Sequence, residues 1–353
     1  MGSVTRVVIV DDSSLFRKVL EQILSRDPEI EVVGTAEDAF VAREMIKDLN
    51  PDVITLDIEM PNMDGLSFLE KIMRLRPMPV VMVSTLTQHG AEAALKALEM
   101  GAVDYHPKPT AGVLDQLEAD AEALCAKVKG AAKAKAGYGL RLASAVVKKP
   151  ASNKLVRPNY RPGSKLIAIG SSTGGVEALH QVIPYLPENC PPTVITQHMP
   201  ASFTQAFANR LNNVSAATVS EAQDGDPIVP GRVYVAPGGD AHLEVRRDGA
   251  RLVCKLVEGP LTSGHRPSVD VLFTSVAKVA SASAIGVILT GMGRDGASGL
   301  KLIRDGGGHT IGQNEESCVV YGMPRVAHEI GGVEVQVSLD KVAEKILEFC
   351  NAA

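Results

Sequence analysis

Three polar residues set far apart in the chain, Ser172, His198 and Asp295, have the types that acyl transfer needs. Ser172 is central in Gly170-Ser171-Ser172-Thr173-Gly174, a G-x-S-x-G turn between the apolar run 166–169 and a helical pattern beginning at Val176. Glycines in such a turn permit a sharp backbone and leave the central hydroxyl exposed above the end of a sheet. A serine hydroxyl is a poor nucleophile until an imidazole takes its proton, and a carboxylate then fixes the imidazole tautomer and stabilises its charged form. His198 directly follows the run 193–197, and Asp295 lies in the loop after 285–291. All three therefore fall beyond the carboxyl ends of expected strands, where open parallel sheets build their sites. His242 and His265 also follow strand or turn signals, so the choice of base stays open. The chain order Ser, His, Asp differs from that of α/β-hydrolases, chymotrypsin and subtilisin, which makes the triad an expectation about geometry.

A second constellation is acidic. Asp11 and Asp12 follow the strand-like run 6–10, and Asp57 follows the run 53–56. If those strands are neighbours, three carboxylates share one crevice and repel one another unless a cation sits among them. A hard ion with oxygen ligands, typically Mg²⁺ retaining waters, is the expected occupant. Ser84 ends the fourth run and Lys108 follows the fifth, adding a hydroxyl and an ammonium to the same edge. Together these groups suit a phosphoryl group carried on a carboxylate nucleophile.

The positioning elements follow from periodicity. Runs at 6–10, 30–35, 53–56, 79–83 and 103–105 alternate with helical segments, which predicts βαβ units and a flavodoxin-like parallel sheet in the order 2-1-3-4-5. The first helix carries Phe16, Val19, Leu20, Ile23 and Leu24 on one stripe. Runs at 166–169, 193–196, 233–235, 285–290 and 309–312, with helices at 176–183 and 297–304, predict a second doubly wound, Rossmann-like α/β domain. The expected organisation is a domain at 1–109, a helical then flexible linker at 110–163, and a second domain at 164–353.

Composition narrows the function classes. At 353 residues the chain suits two domains, and no apolar run approaches the roughly eighteen residues of a membrane span. A cytoplasmic protein without membrane insertion is expected. Five scattered cysteines lack C-x-x-C spacing, which argues against zinc and disulfides. Between Lys127 and Lys165 there are eleven basic residues and no acidic one, yet little aromatic content and no second recognition element, so no nucleic-acid partner is expected. A DNA-binding regulator would need a helix-turn-helix output. Gly291-Met292-Gly293-Arg294-Asp295-Gly296 matches G-x-G-x-x-G, with Glu315 and Glu316 about twenty residues on, and a dinucleotide site is the rival use of that loop. It would enter late in the chain and leave the Ser172 turn unexplained.

Two resemblances join these parts. Ile9-Val10-Asp11-Asp12-Ser13, the segment from Asp57 to Gly65, Ser84 and Lys108-Pro109 resemble the receiver domain of two-component response regulators. That resemblance implies phosphorylation of Asp57 by a chemotaxis histidine kinase and Mg²⁺ held by Asp11, Asp12, Asp57 and the Glu59 carbonyl. It also implies phosphoryl contacts from Ser84 and Lys108, and Tyr105 as a switch aromatic. The segments 169–175, Gln197-His198-Met199-Pro200, Ala236-Pro237-Gly238-Gly239, 265–270, 289–296 and Gln313-Asn314-Glu315 resemble the chemotaxis response-regulator protein-glutamate methylesterases. The implied roles are Ser172 as nucleophile, His198 as base, Asp295 as orienting acid, and Thr173 and Met292 near the oxyanion. The implied substrates are methyl-accepting chemotaxis receptors, demethylated at glutamate and deamidated at glutamine, with no cofactor in the esterase domain and a receiver that restrains it until phosphorylated. Ser171 stands where the family often has alanine and Arg294 where an uncharged residue is expected; nothing in the sequence explains Arg294.

Overall fold

The computed structural model describes residues 4–85, 88–108, 121–134 and 165–351. The chain divides into two compact units, 1–150 and 151–353, each with its own parallel sheet.

In the first unit, β-branched runs form β1 (Thr5–Val10), β2 (Ile30–Ala36), β3 (Val53–Asp57) and β4 (Val80–Thr85), followed by the more polar β5 (Asp104–Lys108). They pair in parallel in the order β2-β1-β3-β4-β5, the expected flavodoxin-like arrangement. Helices α1 (Ser14–Leu24), α2 (Ala39–Leu49) and α3 (Gly65–Leu75) start where Ser13, Asp38 and Asp64 accept hydrogen bonds from first-turn amides. The α1 stripe buries Val19, Leu20, Ile23 and Leu24. Helix α4 (Gln88–Glu99) joins β4 to β5. Asp57 and Lys108 are the last residues of their strands, which run one and three residues past the expected ends at 56 and 105.

Helix α5 (Ala121–Lys133) also packs against α1 and the first sheet, burying Leu124, Val128 and Ala131. Lys129 bridges Asp27 and Glu29 at 2.8 Å each, and Lys127 donates to the Tyr105 carbonyl at 2.6 Å. The sequence places this segment in the linker. Its apolar residues at i, i+4 and i+7 instead attach it to the first unit. The rest of the expected linker, 110–120 and 135–163, lies outside the described residues.

The second unit is a seven-stranded parallel sheet in the order β14-β13-β12-β6-β7-β9-β8. Its central strands are β6 (Leu166–Ser171), β7 (Thr193–Gln197), β9 (Arg232–Val235), β12 (Ala284–Ile288) and β13 (His309–Gln313), with β8 (Thr218–Glu221) and β14 (Val335–Val337) at the edges. The chain leaves β6 towards β7 and later returns to β12 on the other side, so the order reverses at β6, the switch point where α/β sheets open a crevice. Helices α6 (Gly175–Val182), α7 (Ala201–Val214), α8 (Val269–Ala280), α9 (Ala297–Asp305), α10 (Met323–Glu329) and α11 (Leu339–Asn351) are the remaining long helices. An antiparallel hairpin, β10 (Ala241–Asp248) with β11 (Arg251–Glu258), stands apart from the sheet and packs on α8. Leu243, Val245 and Cys254 of the hairpin join Leu272, Phe273 and Val276 of α8 in one buried cluster, each large side chain contributing about 1.5–3 kcal/mol.

Candidate functional site

The crevice at β6 is assembled by register. Ser171 and Gln197 are partners across β6 and β7, so Ser172 and His198 are the next residues on adjoining strands, and the His198 amide donates to the Ser171 carbonyl at 3.2 Å. The strand on the other side, β12, leads into the loop carrying Asp295. Gly291 lets that loop pass against Ser172: a Cβ there would lie 2.8 Å from the Ser172 Cβ. Gly174, at φ 77°, makes the left-handed turn into α6 that an L side chain would strain.

The two serines differ in environment. Ser171 is fully buried and donates its hydroxyl to Gln197 Oε1 at 2.7 Å, while Gln197 Nε2 donates to the Ser172 carbonyl at 3.0 Å. Ser172 is half-buried at the crevice. His198 Nε2 lies 2.8 Å from Asp295 Oδ2, and its buried Nδ1 has no hydrogen-bond partner among the described residues. One ring nitrogen is thus tied to a carboxylate and the other is left to exchange a proton. His265 stacks on the His198 ring with centroids 3.7 Å apart and planes inclined by 16°, which restricts rotation of the imidazole. His242 is occupied elsewhere: its Nδ1 accepts the Ser268 amide at 3.1 Å, so Nε2 carries the proton towards the Pro260 carbonyl, 2.9 Å away.

Asp295 is 1% exposed and held at the start of α8. Its oxygens accept the Ser268 hydroxyl at 2.8 Å, the Val269 amide at 2.7 Å and the Asp270 amide at 3.0 Å. Burial by itself would raise its pKa, but the hydrogen bond and charge of His198 and the two amides outweigh it and hold the carboxyl below its ordinary value. Asp270 returns the arrangement, accepting the Gly299 amide of α9 at 2.7 Å. Each of the two helices therefore receives a carboxylate from the neighbourhood of the other. Asp270's own pKa is raised, first by burial and further by the charge of Asp295. Thr173 is buried, and its carbonyl accepts Thr290 Oγ1 at 3.0 Å; Met292 is half-buried and Arg294 exposed.

This arrangement answers the dinucleotide alternative. A pyrophosphate would need the free amides at the start of α9, and the Asp270 carboxylate already takes one of them. The second unit's alternating strands and helices leave no helix-turn-helix output among the described residues. Ser268 and Asp270 were not singled out as working residues from sequence, although Ser268 before an apolar helical stripe is an N-cap signal.

In the first unit, carboxylate oxygens of Asp11, Asp12 and Asp57 all lie within 4.8 Å of one another. Lys108 Nζ sits between two of them, 2.6 Å from Asp11 Oδ2 and 2.7 Å from Asp57 Oδ2, and 4.7 Å above the Phe16 ring. Burial raises Asp57 to about 6 against the opposing pull of Lys108. The Glu59 amide donates to Asp57 Oδ1 at 3.4 Å. Ser84 Oγ is buried with no hydrogen-bond partner among the described residues. Three hard oxygen donors beside an unpaired hydroxyl suit a magnesium ion and a phosphoryl group. Tyr105 is buried, and burial foremost, with Asp104 second, raises its pKa well above the ordinary value.

Comparison with known proteins finds a family for each of the two units. The family model described as CheB methylesterase matches residues 167–346, and that described as response regulator receiver domain matches 7–118. A relative from Caulobacter vibrioides named protein-glutamate methylesterase/protein-glutamine glutaminase 1 is 59% identical over 347 residues, 98% of each chain. One of the same name from Rhizobium johnstonii is 55% identical over all of this chain and 98% of its own. The Thermotoga maritima CheB methylesterase catalytic domain is 41% identical, with a TM-score of 0.51, covering 53% of this chain and 98% of its own.

Proposed function

The chain belongs to the CheB methylesterase family, and from that premise we propose a phosphorylation-controlled serine esterase that demethylates glutamyl γ-methyl esters of chemotaxis receptors and deamidates specific glutamines. Hydrolysis of this kind serves adaptation in chemotaxis. The proposed setting is the cytoplasm; no described helix is long and apolar enough to cross a membrane. The proposed domain limits are 1–109 for the receiver and 164–353 for the esterase, with α5 packed on the former.

The observation that carries the chemistry is the buried Asp295 carboxylate bonded to His198 Nε2 while His198 Nδ1 stays uncommitted beside the Ser172 strand end. In the proposed reaction Ser172 Oγ attacks the ester carbonyl carbon and passes its proton to His198, whose positive charge Asp295 balances. Amides of Thr173 and Met292 are the proposed donors to the oxyanion. Collapse breaks the carbon–methoxy bond, and His198 gives the proton to the departing methanol. A water molecule, deprotonated by His198, then cleaves the acyl-serine and leaves a glutamate carboxylate. With a glutamine substrate the same steps release ammonia.

In the receiver, Asp57 is the proposed phosphoryl acceptor from a histidine kinase. Asp11, Asp12, Asp57 and the Glu59 carbonyl would hold Mg²⁺, which supplies charge neutralisation around the phosphoryl oxygens. Ser84 and Lys108 would contact that group, and Tyr105 would respond to it. The test is methanol release from methyl-labelled receptor membranes, with and without a small-molecule phosphodonor and Mg²⁺. Release should rise with phosphodonor and disappear in Ser172→Ala; release that survives Ser172→Ala moves the nucleophile elsewhere.

A further inference from the structure

Strand β10 accompanies α8 along its whole length. His242 bonds the Ser268 amide, the Val245 amide bonds Ser275 Oγ at 2.9 Å, and Arg247 donates to the Val279 carbonyl at 2.8 Å. Between strand and helix runs a groove of about 650 Å³, a volume in the range of ligand-binding clefts. Its two ends differ in character. At one, Asp270 and Thr262 line it; Asp270 bonds Asp295 through its amide, and Thr262 is paired with His265, the residue stacked on His198. At the other end stand Arg246, Arg247 and Lys278.

The distal charges are unequally engaged. Arg246 is half-exposed and paired with Glu244 at 2.9 Å, and Arg247 is tied to the helix end. Lys278 is exposed. Three cations against one carboxylate leave that end positive. From Asp270 to Lys278 the helix rises about 12 Å at 1.5 Å per residue, or a little over two turns.

We infer that this groove docks the acidic stretch of the substrate polypeptide next to the glutamyl residue being hydrolysed, with a substrate carboxylate at Arg246 and Lys278 about two helical turns from the reacting ester. The inference rests on the esterase reading and adds to it the chemistry by which substrate is recognised. Charge complementarity decides the occupant. Each turnover converts a neutral ester to a carboxylate, so a segment rich in glutamyl side chains is the natural match for a basic groove end. None of Ser172, His198 and Asp295 lines the groove, which reaches them only through Asp270 and Thr262, so its charges should act on binding.

The test uses the full chain with phosphodonor and Mg²⁺, acting on methyl-labelled receptor membranes at low salt. Arg246→Glu combined with Lys278→Glu should raise KM about tenfold with kcat little changed, the size expected from reversing two exposed contact charges. The gap from the native chain should close as salt is raised, and Arg246→Lys should behave as native. A fall in kcat at native KM would overturn the inference, because the hairpin would then act through the triad. Native KM in the double variant at every salt concentration would overturn it too. Absence of methanol release from the native chain would instead overturn the esterase reading itself.

Discussion

Asp57 and Asp295 stand in matching places, one ending a strand and the other in the loop after one, at the carboxyl edges of two parallel sheets. They are almost equally hidden, at 4% and 1% exposure. Their acidities move in opposite directions, Asp57 rising to about 6 and Asp295 falling below its ordinary value. Burial raises both, so burial cannot be the deciding influence. Asp295 is surrounded by fixed donors, namely a hydroxyl, two backbone amides and an imidazole. Asp57 has one lysine, shared with Asp11, and a long bond from one amide. The carboxylate proposed to stay charged and still is built into a helix start; the one proposed to accept a phosphoryl group is left underbonded.

The comparison breaks most visibly at Asp295. Asp295→Asn should lower kcat for methanol release by about 10⁴-fold, since an amide cannot hold the working imidazole tautomer or its charge. Stopped or steady-state assays on receptor membranes check this, while phosphodonor labelling of Asp57 should be unaffected. At the other site, Lys108→Met leaves two buried carboxylates facing each other and should destabilise the first unit by about 3–5 kcal/mol in chelator. Urea unfolding followed with added Mg²⁺ should recover much of that loss, because the ion replaces the missing charge.

A smaller effect separates the adjacent serines. Ser171→Ala removes the hydroxyl bonded to Gln197 and should cost about 1–2 kcal/mol in unfolding free energy, with kcat retained within a few-fold. Loss of methanol release comparable to that of Ser172→Ala would assign Ser171 a direct part. The smallest effect is on acid stability. Asp295 titrates below its ordinary value of 3.8 in the folded chain, so its contribution is complete above that pH and is lost as pH falls through the folded value. Acid unfolding of the second unit below pH 3.8 should therefore be less steep in Asp295→Asn than in the native chain.

The strand ends were readable because parallel sheets gather their chemistry at one edge: once Asp11, Asp57, Ser172 and His198 follow apolar β-branched runs, their convergence is nearly implied. The His198–Asp295 approach was an expectation from residue types. What surrounds those groups was not readable. The stacking of His265 on His198 links residues 67 positions apart and leaves no local pattern. The β10–β11 hairpin has mixed polar and apolar faces, and β8 and β14 are too short for periodicity to register. The helicity of α5 is legible in its Ala, Leu, Glu and Lys content, but its attachment to the first unit is masked by that basic, alanine-rich composition, although Leu124, Val128 and Ala131 are spaced as a packing stripe.

The exchange of carboxylates between α8 and α9 has a spectroscopic side. The Val269 and Asp270 amide protons point at the oxygens of Asp295, and the Gly299 amide proton points at Asp270. Protons so placed resonate downfield and exchange slowly with solvent, and each senses the charge on the carboxylate it faces. Two backbone signals thus form a built-in gauge of Asp295 and a third one of Asp270, readable in the resting protein without substrate, label or turnover.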